Sequence, residues 1–467
     1  MTMAPPNNKY LSGSLSSVFL KTATPIILMM LVNGSFNLVD AYFLGIFVGA
    51  DALSAVTAMF PLVMLMVALS TLVGNGFASI MARLLGAGKA REAQSAFAQA
   101  ITLSLLVCVL LIILFFIFGK VLTLAANNGV ATQAAMSFEY LSILISASPL
   151  IFILTVNGDA LCSQGHTGFM ATVSICTVLI NGLANYILIV TFNLGVAGSA
   201  YGTLLAQIIA LGAIFIFRIN TVNPSTISVF HLTRKKNHWK AFLALGAPSS
   251  FGYIGLSLSS SAILFNLQQF SSTDYAATLS AYGILTRLMT FAFLPLLGLS
   301  LAFQSITGNN VGARQWQRTN SCIKIALLSA LIYCASIEGL LWLLKDSVGG
   351  WFVNDERVVQ EVSRILPIMT LALFLLGPLL MISSFFQSIG DAIRASVLGL
   401  SKTYLFALPL IFLMPVYFGE WGIWYAGPLA ECLTLILTLF VLYQRSSHTQ
   451  DNKKSYAFGL FYAKESV

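Results

Sequence analysis

Charged residues are scarce in this sequence. Asp, Glu, Lys and Arg together make up 9% of the 467 residues, whereas about 25% is usual for a soluble domain. Hydrophobic residues account for 58%. Water does not solvate a surface of this composition well, so the sequence excludes an ordinary soluble enzyme or binding domain.

The sequence also lacks the patterns that most catalytic and metal sites require. It has four His and six Cys, and neither type occurs at metal-ligand or disulfide spacing. The cysteines stand singly in or beside apolar stretches, at Cys108, Cys162, Cys176, Cys322, Cys334 and Cys432. The sequence contains no phosphate-binding glycine loop and no nucleophile elbow. We therefore expect neither an enzyme nor a bound cofactor.

What the sequence has instead is a series of long apolar stretches. A bilayer requires about 20 apolar residues per helical span, and unbroken stretches exclude the alternating strands of a barrel. We predict an all-α polytopic membrane protein with twelve transmembrane helices. They lie near residues 18–48, 53–80, 97–125, 132–158, 169–192, 195–218, 241–270, 277–309, 321–345, 357–388, 396–417 and 422–443.

The basic residues predict the orientation of these spans. Most Lys and Arg residues fall near the N-terminus, in the even-numbered connections or in the tail, and Lys402 is placed with them as a flanking residue. Basic residues favour the cytoplasmic side. We predict a multi-pass protein of the cell inner (plasma) membrane with both termini in the cytoplasm. Orientation also accounts for the net charge of +8 without nucleic acid as a partner.

The chain contains two similar halves, offset by about 225 residues. The matching positions are Pro25 with Pro248, Gly88 with Arg314, Gly165 with Gly390, and Gly195, Gly198 and Tyr201 with Gly419, Gly422 and Tyr425. Six spans per half relate the halves by an axis along the membrane normal. The predicted domains are an N-lobe at 1–218, a basic cytoplasmic linker at 219–240, a C-lobe at 241–443 and a cytoplasmic tail at 444–467.

Asp40 is the leading candidate for a functional residue. It lies deep in the first span, and a charged side chain at the bilayer centre costs about 2.5–3.5 kcal/mol on insertion scales. A carboxyl at this depth is suited to exchanging a proton or a metal cation during transport. The alternative is a protonated side chain that only holds helices together.

A polar cluster is predicted to accompany Asp40. Asn181 and Asn185 are four residues apart in the fifth span, and Ser199 and Thr203 repeat this spacing in the sixth. Residues four apart share one helix face. Facing Asp40, these oxygen-bearing side chains would bind sodium or tune the proton affinity of the carboxyl. Polar helix packing without an ion is the alternative.

The second half holds weaker candidates. Glu338 in the ninth span and Glu431 in the twelfth are candidates for a second relay, and Glu431 stands where the first half has Gln207. Arg287 in the eighth span is a candidate counter-ion, or it extends to the outer interface.

These residues carry a family resemblance. The sequence resembles the multidrug and toxic compound extrusion (MATE) family over nearly its whole length. The resemblance rests on Pro25, Val39-Asp40-Ala41-Tyr42-Phe43-Leu44-Gly45, Leu85-Gly86-Ala87-Gly88, and Asn181 and Asn185 followed by Gly195-Val196-Ala197-Gly198-Ser199-Ala200.

The resemblance implies two six-helix lobes forming a V and export of organic cations or drugs in exchange for protons or sodium. It also implies an N-lobe cation site at Asp40, Asn181, Asn185 and Thr203, with Asn157 in the same cluster. The candidates for the substrate cavity are Asn33, Asn37, Asn157 and Tyr140, although Tyr140 near the outer end of its span is also compatible with an interfacial position. We expect a monomer in the lipid bilayer.

Two departures from the family pattern bear on the coupling ion. Members with a similar N-lobe site often have an acid where Asn185 stands, and other members have an acid in the seventh span, where Gly252 to Phe270 contains none. We therefore expect coupling to protons rather than to sodium. The alternative function is a lipid-linked oligosaccharide flippase of the same superfamily, which would require more basic residues in its cavity.

Overall fold

The computed structural model describes residues 8–127, 129–220, 233, 235–270 and 275–450, apart from the side chains of residues 37, 38, 50 and 445–450. Most of the predicted linker at 219–240 and most of the tail at 444–467 lie outside this part of the chain. Within the described residues the chain forms helices joined by short turns, without β-strands.

The first half of the chain forms eight α-helices. They are α1 (Leu15–Phe43), α2 (Ala50–Ala58), α3 (Phe60–Gly86), α4 (Ala90–Ala126), α5 (Ala131–Ser146), α6 (Ser148–Ser163), α7 (Thr167–Asn185) and α8 (Gly195–Asn220). Two π-helical segments, Leu44–Val48 and Tyr186–Thr191, continue α1 and α7.

The second half forms nine α-helices. They are α9 (Trp239–Phe270), α10 (Tyr275–Gly312), α11 (Trp316–Leu343), α12 (Lys345–Val348), α13 (Glu356–Met369), α14 (Leu373–Ile389), α15 (Ala392–Leu400), α16 (Leu408–Phe418) and α17 (Glu420–Gln450). A 3₁₀ turn, Gly349–Trp351, follows α12, and a third π-helical segment, Ser401–Ala407, joins α15 to α16.

The described helices account for the twelve predicted spans. Ten segments are long and apolar enough to cross a bilayer singly, and two pairs, α5 with α6 and α13 with α14, are each bent by 48°. Pro149 lies in the first turn of α6, and Pro367 lies near the end of α13. Proline lacks an N–H donor, which favours a break at these points. Counting each bent pair as one span confirms the predicted all-α, twelve-helix class.

Apolar side chains cover the outside of these helices. On α4, the exposed fractions of Leu110, Ile113 and Ile117 are 55%, 52% and 62%, and their spacing places them on one helix face. Ala96 and Ala100 of the same helix are fully buried. An apolar stripe of this length is suited to contact with lipid chains, so the chain is a multi-pass membrane protein.

The chain divides into two compact units. Unit 1 contains Thr24–Ser250 and the residues before Tyr10, and unit 2 contains Tyr10–Ala23 and the residues from Phe251 onward. The lobe bounds taken from the sequence, 1–218 and 241–443, stay a prediction.

One arginine explains why the segment Tyr10–Ala23 belongs to unit 2. The guanidinium of Arg318 donates hydrogen bonds to the carbonyl oxygens of Tyr10, Ser12 and Gly13, at 3.2, 3.0 and 2.7 Å. The amide of Asn310 also donates to the Tyr10 carbonyl, at 3.3 Å. Charge-assisted bonds of this kind are stronger than neutral ones, so they fix the segment that precedes α1.

The turns of the two halves have matching backbone geometry at the positions paired from the sequence. Positive φ angles occur at Gly88 and Arg314 (71° and 59°), at Gly165 and Gly390 (90° and 87°), and at Gly195 and Gly419 (55° and 60°). Left-handed residues commonly end helices, and glycine adopts this conformation without strain. Arg314 adopts the same positive φ angle although it is not glycine. The structure therefore repeats its turns as the sequence comparison predicted.

Within unit 1, α3 and the first part of α9 pack backbone against backbone. A Cβ atom on Gly76 would lie 1.9 Å from the carbonyl oxygen of Phe242, and one on Gly246 would lie 1.8 Å from that of Leu72. Small residues allow membrane helices to approach this closely. Here only glycine fits without moving one helix.

We predict that Gly246→Ala destabilises the protein by about 1–3 kcal/mol, because the new methyl group forces α3 and α9 apart. Gly252→Ala in the same helix is the matched control, since a Cβ there meets no atom within 4 Å. Melting temperatures of both variants in detergent measure the difference. Equal melting temperatures would contradict the packing argument.

His166 lies in the turn between α6 and α7, outside the spans. Its backbone N–H donates to the Leu161 carbonyl at 2.9 Å, and its ring packs edge-on against Phe217 with centroids 5.2 Å apart. Burial lowers the pKa of the imidazole, and the positive charges of Lys9 and Arg218 lower it further. The folded protein therefore favours neutral His166.

We predict that His166 makes the folded protein less stable in mild acid. The unfolded chain binds a proton near about pH 6.5 and the folded chain only at lower pH, so stability falls as pH decreases through this window. In His166→Gln, the melting temperature should depend less on pH between about 7.5 and 5.5. Gln164→Ala in the same turn should retain the wild-type dependence. An unchanged pH profile in His166→Gln would refute this role.

Candidate functional site

Asp40 lies in the last turn of α1 with 7% of its surface exposed. The side-chain amide of Asn185, the last residue of α7, donates to Asp40 Oδ1 at 2.6 Å. The hydroxyl of Thr203 in α8 donates to Asp40 Oδ2 at 3.4 Å. Both carboxyl oxygens of Asp40 thus receive hydrogen bonds from neutral groups on two other helices.

Asn181 links these two donors. Its amide donates to Thr203 Oγ1 at 3.3 Å, and its Oδ1 accepts from the amide of Asn185 at 3.5 Å. Asn181, Asn185 and Ser199 are fully buried, and Ser199 lies close enough to interact with Asp40. The structure thus brings together all five side chains that the sequence predicted as one ion site.

Two side-chain oxygens of this site accept no hydrogen bond in the structure. Asn185 Oδ1 is buried and has no hydrogen-bond partner among the described atoms. Ser199 Oγ is buried close to Asp40 but makes no hydrogen bond of normal geometry with the described atoms. Gly202 makes room for the first, since a Cβ atom there would lie 2.2 Å from Asn185 Oδ1. Leaving a buried polar atom without a partner costs about 1–3 kcal/mol, so such atoms indicate a site whose contacts change.

Two of the three helices that contribute to the site, α1 and α7, change to π-helical geometry beyond it. The segment Leu44–Val48 begins four residues after Asp40, and Tyr186–Thr191 begins directly after Asn185. The wider turns are closed by bonds such as Gly49 N–H to Leu44 O and Phe192 N–H to Ile187 O, both 3.0 Å. Short π-helical segments occur frequently at functional sites.

Tyr140 is buried inside unit 1. It is 7% exposed, packs in a core with Leu44 and Ile189, and is near enough to Asp40 to interact electrostatically. Its side chain packs between α8 and the ends of α1 and α7, and its position relative to the membrane interface stays a prediction. Its place in a substrate cavity stays a prediction.

The other cavity candidates are spread over unit 1. Asn157 is buried in α6, where its amide donates to the Ile153 carbonyl at 2.8 Å and its own carbonyl accepts from Arg218. No hydrogen bond joins Asn157 to Asp40, Asn181, Asn185 or Thr203. Asn33 is exposed on α1, and the side chain of Asn37 lies outside the described residues.

In unit 2, Glu431 of α17 forms an ion pair with Lys402. The side chain of Glu431 is 9% exposed and that of Lys402 is 34% exposed. Lys402 lies in the π-helical segment Ser401–Ala407, and its prediction as a cytoplasmic flanking residue stays a prediction. The ion pair itself was not predicted, because a buried carboxylate requires a cation close by but the sequence gives no sign of which lysine supplies it.

The remaining candidates of unit 2 are less connected. Glu338 accepts the backbone N–H of Phe374 at 2.8 Å. It lies with Glu431 and Lys402 around Cys334, which interacts electrostatically with all three. Arg287 is exposed on α10 and has no ion-pair partner among the described residues. A second relay in this unit therefore stays a prediction.

The donor set around Asp40 suits a small monovalent cation or a proton. The described residues contain no group of three or more His, Cys, Asp or Glu side chains arranged to hold a metal ion. Asp40 is accompanied by amides and hydroxyls, which are hard oxygen ligands but carry no charge.

Comparison with known proteins supplies the family. A family model described as MatE matches residues 25–187 and 248–413. The chain belongs to the MatE family. The model matches this MATE transporter twice, once in each half, and the two matches begin at Pro25 and Pro248. These are positions that the sequence paired, so the internal duplication is confirmed.

Relatives and solved structures align over almost the whole chain. A probable multidrug resistance protein, YoeA, of Bacillus subtilis is 23% identical over 434 residues, which cover 90% of this chain and 91% of the relative. A FAD transporter of Shewanella oneidensis is 24% identical over 431 residues, which cover 91% and 93%. A structure described as an outward-facing multidrug resistance MATE transporter of the MOP superfamily has a TM-score of 0.85 at 21% identity, covering 96% and 99%.

We predict that Lys402→Met destabilises the MATE transporter by about 1–3 kcal/mol, because it leaves the buried Glu431 carboxyl without a donor. The double variant Lys402→Met/Glu431→Gln should recover most of this loss, since both charges are then removed. Melting temperatures in detergent give the comparison, with exposed Lys324→Met as the control. A double variant no more stable than Lys402→Met would refute the coupling.

Proposed function

We propose that this MATE transporter exports organic cations in exchange for protons, and that Asp40 is the carboxyl that binds the coupling proton. The proposal joins the chemistry of the Asp40 site with the family of the chain. It concerns the ion, the substrate class and the direction of transport, which family membership alone leaves open.

The observation that carries the proposal is that the site is equipped for both protonation states of Asp40. The charged carboxylate receives hydrogen bonds from Asn185 and Thr203. The protonated carboxyl would itself be a donor. Either Asn185 Oδ1 or Ser199 Oγ, which accept no hydrogen bond in the structure, would accept the bond from its O–H. A rotation of the Asn185 amide exchanges its donor and acceptor atoms, so one side chain serves both states.

The same arrangement favours a proton over sodium. A sodium ion at Asp40 needs several oxygen acceptors at once, yet the groups directed at the two Asp40 oxygens are an N–H and an O–H. Donors of this kind compete with a metal ion for the carboxylate oxygens. One carboxylate with neutral companions also gives less net negative charge than a typical dedicated metal site.

Two kinds of support bear on the substrate. One relative is named as a multidrug resistance protein and another as a FAD transporter, so relatives at this level of identity differ in the substrate they are named for. Sequence composition favours varied apolar cations, because 34 Phe and 14 Met residues provide adaptable apolar and aromatic surface. The duplicated halves suit alternating access.

The flippase alternative has less support. A lipid pyrophosphate requires basic side chains that are available for phosphate. Of the two basic residues deepest in the spans of unit 2, Lys402 is paired with Glu431, which neutralises its charge. The other, Arg287, is exposed on α10, and one unpaired basic side chain is fewer than a pyrophosphate group requires.

The test of this function is efflux of a fluorescent organic cation from proteoliposomes that contain the purified protein. With the cation loaded inside the liposomes, a pH gradient that is acidic outside should drive its efflux. A sodium gradient of equal size should not. Flux driven by sodium alone would overturn the choice of ion. Flux with neither gradient would overturn antiport and favour a lipid substrate.

We predict that Asp40→Asn abolishes gradient-driven efflux while the protein still folds and inserts, because the amide preserves the shape of the side chain but binds no proton. Glu139→Gln, which removes an exposed acid from α5, is the matched control and should transport normally. Efflux and gel-filtration profiles of both variants are the measurements. Wild-type efflux by Asp40→Asn would refute the coupling role.

A further inference from the structure

Unit 1 contains a second intramembrane acid that the sequence analysis did not select. Asp159 lies in α6, four residues before the helix ends at Ser163, and its carboxyl is directed at α3. A Cβ atom on Gly74 of α3 would lie 2.6 Å from Asp159 Oδ2 and 3.1 Å from the methyl group of Thr155. The absence of a side chain at Gly74 thus creates the space that the carboxyl occupies.

Asp159 differs from the other shielded acids of the described chain in having no donor. Each of the others has one: Asp40 has Asn185 and Thr203, Glu338 has the Phe374 N–H, Glu361 and Glu420 have Arg364, Asp391 has Arg394, and Glu431 has Lys402. Asp159 is partly buried, and no hydrogen bond or ion pair reaches it from the described residues. In a membrane span, a carboxylate without a partner is less favourable than a protonated carboxyl.

Among the described residues, no positive charge is paired with Asp159. Cys162, one turn further along α6, is the titratable group that interacts with it electrostatically. Neither α3 before Arg83 nor α7 contains a charged residue. The charged residues of α4 are Arg91, Glu92 and Lys120, which lie near its ends. Arg218 of α8 donates to the Asn157 carbonyl and stacks over Phe97, 5.5 Å from the ring centroid.

Hydroxyl groups continue from Asp159 along the same interface. Thr155 lies one turn before Asp159 in α6, and the hydroxyl of Ser70 in α3 donates to Thr155 Oγ1 at 3.0 Å. The Thr155 hydroxyl in turn donates to the Ile151 carbonyl at 3.0 Å. The contact between α3 and α6 is therefore polar next to Asp159, although both helices lie in spans.

We propose that Asp159 is a second proton-binding residue of unit 1, which exchanges protons with the membrane face at which α6 ends. A proton from water binds to a carboxylate oxygen and leaves by the same route, so no other bond forms or breaks. The inference rests on the proposed proton-coupled function, because it assigns a further residue to the path of the coupling ion.

The position of Asp159 along the helix axes separates it from the Asp40 site. Asp159 is about 6 Å from the end of α6, at 1.5 Å per residue. Asn185, which binds Asp40, is 18 residues beyond the start of α7 and therefore about 27 Å from the same end of the unit. The two carboxyls are too far apart for direct transfer of a proton, so they would bind the coupling proton at different depths of unit 1.

The first test uses the wild-type protein and does not require a variant to fold. A hydrophobic carbodiimide reacts with protonated carboxyls, and mass spectrometry of the purified full-length chain identifies the modified residue. We expect modification of Asp159 in mild acid and at least a tenfold decrease as the pH is raised. Absence of modified Asp159 at every pH would overturn the proposal.

The second test is a titration of carboxyl groups by infrared spectroscopy in detergent. Asp159→Asn should lose one titrating carboxyl relative to wild type, and Asp40→Asn should lose a different one. In Gly74→Ala, the added methyl group crowds the Asp159 carboxyl and should shift its titration, whereas Gly168→Ala, where a Cβ meets no atom within 4 Å, should not. Superimposable titrations of Asp159→Asn and wild type would refute proton binding by Asp159.

These outcomes are separable from the fate of the antiport proposal. Loss of a titrating carboxyl in Asp159→Asn, together with normal efflux by Asp40→Asn, would support proton binding at Asp159 and refute the role of Asp40. The reverse pair of results would refute Asp159 and leave antiport through Asp40 intact. A proton-binding Asp159 should also change the pH dependence of efflux in Asp159→Asn, and an unchanged dependence would overturn its place in the coupling path.

Discussion

Hydrocarbon offers no hydrogen bonds, and this constraint governs both the backbone and the few charged side chains of the protein. Every peptide group within a span must find its partner inside the chain, which is why the described spans are helical throughout. The same constraint applies to carboxyls. Asp40 is held by an amide and a hydroxyl from α7 and α8, while Glu431 is held by an ammonium group. The choice of partner determines what each site is able to do.

The two units use a common architecture but differ in the charge they hold. In unit 1, the hydrogen-bond donors to Asp40 are neutral, so no basic side chain among the described residues pairs with this carboxyl. In unit 2, Lys402 already supplies a cation to Glu431, and the pair has no net charge. The position equivalent to Glu431 in the first half is Gln207, which is neutral. Duplication thus preserved the turns and helices while the polar interior of each unit diverged.

Features that depend on pattern were predictable from the sequence. Apolar length gave the twelve spans, and the four-residue spacings of Asn181 with Asn185 and Ser199 with Thr203 correctly indicated one cluster around Asp40. Features that depend on tertiary contact were not. The partner of Glu431 was missed because Lys402 reads equally well as a flanking residue. Asp159 was missed because the fourth span was predicted to end at residue 158, whereas α6 continues to Ser163, and an error of five residues removed an acid from the membrane.

The π-helical segments change which helix face each following residue occupies. A π turn closes its hydrogen bond over five residues instead of four, so each segment holds one residue more than the α-helix needs, and everything beyond it is rotated by about 100° around the helix axis. A helical wheel drawn straight through Asp40 or Asn185 assigns the following residues to the wrong faces. Deleting one residue from Leu44–Val48 or Tyr186–Thr191 therefore restores the α-helical count and turns the rest of that span away from its present neighbours. The polar site of unit 1 thus lies where two helices each carry one residue beyond the α-helical count.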